Sequence, residues 1–432
     1  MEGRIEAEWD KLRKVIVHKP GIEMFFGLLD PYAFLYERAF SQNAALKDHD
    51  RLVYALHDQF GVRVEYLLEK IKEYADRDRK AKEMVVDAAI KKIDFVGDPK
   101  EGETARKELK ENIDMYDIDY FLNIIMLMPR MVLRRSNGIE AIHINVTERD
   151  PLANLYFMRD QQAVTDKGIF LSRMSKPQRR NEPQFTKILW KMMKLKIVHE
   201  STNPATFEGG DFIPMKEFAL LGTGDRTNKQ GVEQMLKRGL GFKEVGVVHQ
   251  PTHPLIPSNE PDPMVNMHLD TYFNVAGSDL VLGAEVLLKK AEVEIYEREG
   301  SSYTKSKKTM SLFDYIKSKG FGIINLSTLE QLSYASNFLC IKDHTILAVD
   351  SDQIVKSVLG NLESKARSDK KRYGALFRQA KKEYLEFKRS GEIFPHKKDL
   401  YQNGVDLYAV DLKDITGGYG GAHCMTAVIE RS

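Results

Sequence analysis

The sequence predicts an α/β protein: a five-fold pseudosymmetric α/β propeller of strand–strand–helix–strand (ββαβ) modules with a helical-bundle insertion. Three observations carry that expectation. Four stretches repeat one plan, two apolar runs split by a short polar turn. Helical spacing follows three of them and leads to another apolar run. One long stretch, residues 67–131, breaks the plan.

Taken in chain order, Val15-Ile16-Val17-His18 reads as a strand ended by Pro20-Gly21. It can combine with a C-terminal strand over Met425 to Ile429 to complete a fifth module. From Leu67 to about Met128 the pattern is helical. Leu67, Leu68, Ile71 and Tyr74 form one stripe; Met84, Val85, Ala88, Ala89 and Ile93 a second; Leu109, Ile113 and Tyr116 a third. The four hairpin segments are Asn154 to Met174, Phe207 to Thr227, His268 to Val286 and Ser336 to Ser351. Phe185, Ile188, Leu189 and Met192 mark a helix after the first, Val232, Met235 and Leu236 after the second, and Leu312, Phe313 and Ile316 after the third. The unit recurs every roughly 50–70 residues, and stacked units that each bury a face favour a closed ring. The expected division is a catalytic propeller over 1–66 and 132–432 with the bundle at 67–131.

Composition narrows the function. The chain has 432 residues, 42% apolar and 30% charged, which marks a globular protein. A net charge of +2, mixed along the chain, gives no electrostatic case for nucleic acid or a membrane surface. No apolar stretch reaches the length of a membrane span, and the first residues lack an apolar signal core. Two distant cysteines make neither a disulfide framework nor a zinc site. The expected compartment is the cytoplasm, with no cofactor and no metal. His249 and His253 are separated by Pro251 and do not share a helix face.

One of the two cysteines, Cys424, follows a Gly417-Gly418-Tyr419-Gly420-Gly421 loop that can bend around a small ligand. By itself it is either a nucleophile or a small core residue. The ring supplies a context, because its equivalent strand starts point at one axis. Those starts hold Asn154, Arg159 and Asp160; Glu208 and Asp211; His268 and Asp270; and Asn337. Carboxylates around a thiol suppress the thiolate. The arrangement makes sense if the substrate is a cation that offsets them. A guanidinium fits best: it is planar, permanently charged, and grips carboxylates through paired hydrogen bonds. Its central carbon is open to attack by sulfur, and His268 can protonate the departing nitrogen.

Five elements then carry a family resemblance: Asn154-Leu155-Tyr156-Phe157-Met158-Arg159-Asp160, Phe207-Glu208-Gly209-Gly210-Asp211, Gly222-Thr223-Gly224-Asp225-Arg226-Thr227, His268-Leu269-Asp270-Thr271 and His423-Cys424-Met425-Thr426. In this order they resemble the arginine deiminase branch of the guanidino-group-modifying (amidinotransferase) superfamily. The resemblance spans Val15 to the C-terminus and includes a helical insertion. It implies Cys424 as nucleophile, His268 as general acid and base, Asp160 and Asp270 as the guanidinium clamp, and Glu208 holding the guanidinium from another side. It implies Asn154, Arg179 and Arg226 at the amino-acid end of the substrate, with Phe157 and Asp211 in the same binding set. The implied reaction passes through a covalent amidino-cysteine.

Two departures bear on the substrate. The family typically carries an arginine five residues before the cysteine, and Tyr419 stands there. Phe26-Gly27-Leu28-Leu29-Asp30-Pro31 is only loosely like the family's acidic turn. The expected activity is an arginine deiminase, making citrulline and ammonia from a small guanidino substrate. The alternative is an amidinotransferase passing the amidino group to an amine; a non-catalytic arginine-binding protein is more remote. Homo-oligomer formation is left open.

Overall fold

The two ends of the chain meet in one sheet. Strand Leu12–Val17 pairs antiparallel with Ala427–Arg431 and parallel with Arg63–Tyr66. This computed structural model describes residues 2–135, 142–147, 150–257, 262–300 and 302–432. No helix among the described residues is long and apolar enough to cross a membrane.

Four more sheets repeat that topology, an antiparallel hairpin whose second strand pairs parallel with a third. They are Gln162–Thr165, Gly168–Leu171 and Ile197–Glu200; Phe212–Met215, Phe218–Thr223 and Glu244–His249; Phe273–Gly277, Leu280–Gly283 and Gly322–Asn325; and Leu339–Lys342, Thr345–Val349 and Asp406–Val410. Helices Glu182–Met192, Lys229–Arg238 and Leu312–Ser318 make the expected crossovers. The mixed α/β fold is therefore observed. The sheets stay separate, and none closes on itself among the described residues.

Apolar clusters fill the spaces between sheets, as alternating strands with two buried faces require. Phe170 packs with Phe212 and Leu221. Leu220 and Val248 pack with Phe273 and Val275. Leu282 packs with Phe338 and Ile346. Leu339 and Leu347 share the largest cluster with Val15, Val428 and Ile169.

Three features depart from the sequence pattern. The fourth hairpin also gains a parallel strand, Asp406–Val410, but two long helices, Ser351–Ser368 and Lys370–Ser390, intervene and hide the repeat. Strands Glu292–Glu299 and Ser302–Ser311 extend one sheet to five strands. Their exposed faces are charged, which masks the apolar run. Between residues 67 and 131 there are four α-helices, Leu67–Arg77, Arg79–Ile90, Pro99–Glu111 and Ile118–Leu127, and a 3₁₀ turn, Ile113–Met115. A small sheet, Asp94–Val96, Arg130–Arg135 and Ile142–Thr147, lies beside them. Their buried Ile71, Val85 and Phe121 belong to the same apolar cluster as Val15 and Phe185.

Candidate active site

Short 3₁₀ turns stand at the chemistry-bearing positions. Met158–Gln161, Gly209–Asp211 and Leu269–Thr271 each precede the first strand of a hairpin. Such a turn redirects the chain within three residues, so an acid at its start lies beside the strand end rather than in the sheet. The turns pack directly on each other, which explains the paired glycines. A Cβ on Gly209 would lie 2.2 Å from the Arg159 carbonyl oxygen, and one on Gly210 would lie 2.9 Å from both Asp160 Oδ1 and His268 Nδ1. The Gly417–Gly421 loop closes the other side. There a Cβ on Gly420 would meet the Phe157 ring at 2.4 Å and Cys424 Cβ at 2.9 Å.

The turns and loop enclose a small cavity. It is lined by Asn154, Phe157, Asp160, Arg179, Arg226, His268 and Cys424, with Leu35, Met267, Gly418 and Tyr419 beside them. Seven of the ten residues expected from sequence thus face one space. Of the other three, Asp270 touches the thiol: Cys424 Sγ–H donates to Asp270 Oδ2 at 3.5 Å. Glu208 Oε2 accepts from His268 Nε2 at 2.9 Å. Asp211 is taken up internally, accepting from Thr227 Oγ1 at 2.6 Å and from the Leu269 backbone N–H at 3.0 Å. Its carboxylate holds the His268–Leu269 turn in place.

The charges are almost entirely dry. Burial pushes the Cys424 thiol well above its ordinary value; Asp270 and Asp160 push it further, and the Asn337 amide, donating to Sγ at 3.1 Å, only partly opposes them. Burial works against the His268 imidazolium, but Asp160, Glu208 and Asp211 outweigh it and raise the group to about 9. Glu208 is buried too, yet Arg226, His268 and Arg179 hold it well below the usual carboxylate range. Asp160 Oδ2 accepts from Arg179 Nη1 at 2.7 Å.

Two carboxylate oxygens, Asp160 Oδ1 and Asp270 Oδ1, are buried with no hydrogen-bond partner among the described residues. So are Nε and Nη1 of Arg226. Buried polar atoms left unpaired are costly and mark a place for a ligand. These are acceptors at the thiol end of the site and donors on a second wall.

Some contributors were missed by sequence reasoning. Glu182 grips Arg179 through three hydrogen bonds of 2.8 to 3.1 Å, and burial, only partly offset by Arg179, raises it to about 7. Its only sequence signal is an acid at a helix start, three residues after Arg179. His423 Nδ1 lies 2.7 Å from Asp270 Oδ2, and Arg159 bonds Glu8 at 3.1 Å. Glu8 carries no sequence signal. Asn337, noted only as a strand start, accepts from the backbone N–H of Gly421 and Cys424 at 2.8 and 3.1 Å and so shapes the nucleophile loop.

Asp160, Glu208 and His268 also offer ligand atoms within 4.8 Å of one another, close enough for a metal ion. Arg226 and Arg179 lie 3.7 and 3.9 Å from Glu208 and oppose a divalent cation there.

Comparison with known proteins marks this α/β chain as a hydrolase acting on the C–N bond of amidines. The chain belongs to the arginine deiminase family, whose model matches residues 32–431. It is 23% identical to the arginine deiminase of Halobacterium salinarum, over 99% of this chain and 96% of that one. It is 25% identical to that of Staphylococcus haemolyticus, over 82% and 90%. Among solved structures, a dimethylarginine dimethylaminohydrolase variant captured as an adduct with S-methyl-L-thiocitrulline shares the fold with TM-score 0.50 at 14% identity, over 96% and 98% of the two chains. An amidinotransferase of Microseira wollei from saxitoxin biosynthesis does so with TM-score 0.50 at 12% identity, over 99% and 97%.

Proposed function

We propose that this chain is an arginine deiminase that works through Cys424. The carrying observation is the pair of buried oxygens on Asp160 and Asp270 at the thiol that accept no hydrogen bond, set against Arg226, whose Nε and Nη1 make no hydrogen bond among the described residues and only longer ion pairs, 3.4 Å to Asp225 and 3.7 Å to Glu208. A guanidinium fills the first set, and the carboxylate of the same molecule answers the second.

The bound cation offsets Asp160 and Asp270, so the Cys424 thiol can release its proton to solvent and become a thiolate. Sulfur attacks the guanidinium carbon. The bond to a terminal nitrogen breaks, and His268 supplies the proton with which ammonia leaves. Water then attacks the thiouronium carbon, giving its proton to His268. The carbon–sulfur bond breaks, the intermediate's hydroxyl proton passes to the departing sulfur, and citrulline leaves with the thiol restored. Glu208 keeps His268 oriented and charged. Arg179 is held by Glu182 and Asp160 and acts as a fixed wall; Arg226 meets the substrate carboxylate. Asn154 and Phe157 complete the binding wall, and Asp211 supports the His268 turn.

Tyr419 favours a second reading. It lines the pocket without supplying a cation. An amidinotransferase would share the first half-reaction and then accept an amine in place of water. Product analysis separates the two: citrulline from arginine alone supports the deiminase, whereas ornithine appearing only with glycine or lysine supports the transferase.

We also read the five similar sheets as blades of a propeller about this site, with residues 67–131 as an insertion. The apolar clusters joining each sheet to the next support that reading. The two unpaired cysteines suit a cytoplasmic setting.

A further inference from the structure

Two side chains join the Arg226 wall of the site to the His268 wall. Arg226 follows strand Phe218–Thr223, and His268 precedes the turn Leu269–Thr271. Asp211 makes the first join. Its Oδ2 accepts from Thr227 Oγ1, and its Oδ1 accepts from the Leu269 backbone N–H. Each of these partners lies one residue beyond the functional side chain.

Gln250 makes the second join, on the opposite side of both functional residues. Its Oε1 accepts from the Asp225 backbone N–H at 2.8 Å, and its Nε2 donates to the Asn266 carbonyl. Asp225 precedes Arg226, and Asn266 stands two residues before His268. Asn266 returns the bond, its amide donating to the Pro251 carbonyl. A side-chain amide offers both an acceptor and a donor, which a carboxylate cannot. The fit is close. A Cβ on Gly224 would lie 2.0 Å from Gln250 Oε1, so glycine at this position makes room for the amide.

The other bonds of the two walls do not span the gap. Ser175 Oγ donates to the Asp225 carbonyl at 2.9 Å, and the Gln331 amide donates to the carbonyls of Val265 and Thr271. Each ties one wall to its own neighbours. Glu208 bonds His268 at 2.9 Å but reaches Arg226 only at 3.7 Å. A small cavity lies between the walls, lined by Gly224, Arg226, Gln250, Met267 and His268. Where space rather than packed side chains backs a wall, hydrogen bonds set its position. Two joins fix both separation and angle; with Gln250 lost, the walls can swing about Asp211.

We infer that Gln250 is a positioning residue that sets the span between Arg226 and His268, and with it the length of guanidino acid the site accepts. This rests on Arg226 meeting the substrate carboxylate and His268 working at the guanidinium, as proposed above. Gln250 touches neither end of the substrate and acts through the backbone on which both residues stand.

Steady-state kinetics with arginine, and with homoarginine (one methylene longer) as competing ligand, test this role in the full chain. Gln250→Met keeps the length of the side chain and removes both bonds. It should raise KM for arginine about tenfold through the loss of two hydrogen bonds that place Arg226, with kcat within about twofold. The inhibition constant of homoarginine should stay where it is, so discrimination between the two ligands narrows about tenfold. Gln250→Glu keeps the acceptor and loses the donor, and should fall between the wild type and Gln250→Met. Discrimination unchanged in both variants, or kcat falling with KM unchanged, would overturn the role of Gln250 alone. A wild type that turns over no arginine would overturn the deiminase reading, and this role with it.

Discussion

Cys424 Sγ lies 3.5 Å from the Asp270 carboxylate, with 3% of the residue exposed. A thiol beside a buried anion is poised against ionisation. Together with Asp160, that contact keeps Cys424 a thiol, and in the reaction proposed above a cationic substrate would offset both charges.

The first consequence is measurable without substrate. Asp270→Asn removes a negative charge, so the thiol should titrate at lower pH. Alkylation of Cys424 by iodoacetamide should speed up at neutral pH, while Cys340, buried with its thiol raised to about 12, stays unreactive in both proteins. An unchanged pH profile for Cys424 would show that Asp270 does not govern the thiol.

The His268 imidazolium, raised to about 9, should set the alkaline limb of kcat/KM. Its folded value lies above the unfolded value of about 6.5. Its contribution to stability is therefore complete below about 6.5 and lost as pH rises through about 9. Asp160 is the largest influence raising it, so Asp160→Asn should move both transitions to lower pH. A stationary alkaline limb in that variant would assign it to another group.

Glu182 is 0% exposed and accepts three hydrogen bonds from the buried Arg179 guanidinium. Glu182→Ala leaves a buried cation short of a partner and should cost about 3–5 kcal/mol of folding stability. Urea unfolding measures this directly. A loss below about 1 kcal/mol, the range of an exposed pair, would mean that Asp160 alone satisfies Arg179.

Arg226 has two nitrogens without a hydrogen bond among the described residues, with Asp225 at 3.4 Å and Glu208 at 3.7 Å as longer ion-pair partners, so its role should depend on the ligand's anion. Arg226→Ala should weaken arginine by about 1.5–3 kcal/mol and agmatine, which lacks the carboxylate, much less. Tyr419→Phe removes one neutral bond and should do less to arginine. Equal losses for both ligands would place the carboxylate elsewhere.

Much of the site was legible because its residues recur at one position of a repeated pattern. Asp160, Glu208, His268 and Asp270 each stand at or next to a 3₁₀ turn before an apolar run. The pairing of the chain ends was legible for a similar reason, since two isolated strands needed partners. Glu8 was not legible: it arrives from an irregular N-terminal segment and is held by Arg159 and Arg431 across the fold. Glu182 reads as an ordinary helix-start acid until Arg179 is seen folded against it. Parallel strand Asp406–Val410 escaped because long helices separate it from its hairpin. Local periodicity reveals elements; it does not reveal which distant charge neutralises which.

Covalent chemistry at Cys424 is tested most directly by rapid quenching with arginine, digestion and mass spectrometry of the Cys424 peptide. The peptide should gain the whole of arginine less one ammonia, and Cys424→Ser should gain nothing while still binding arginine. An amidino group alone on the cysteine would mark a transferase. Turnover of arginine with no adduct on Cys424, or sustained turnover by Cys424→Ser, would contradict the nucleophile assignment outright.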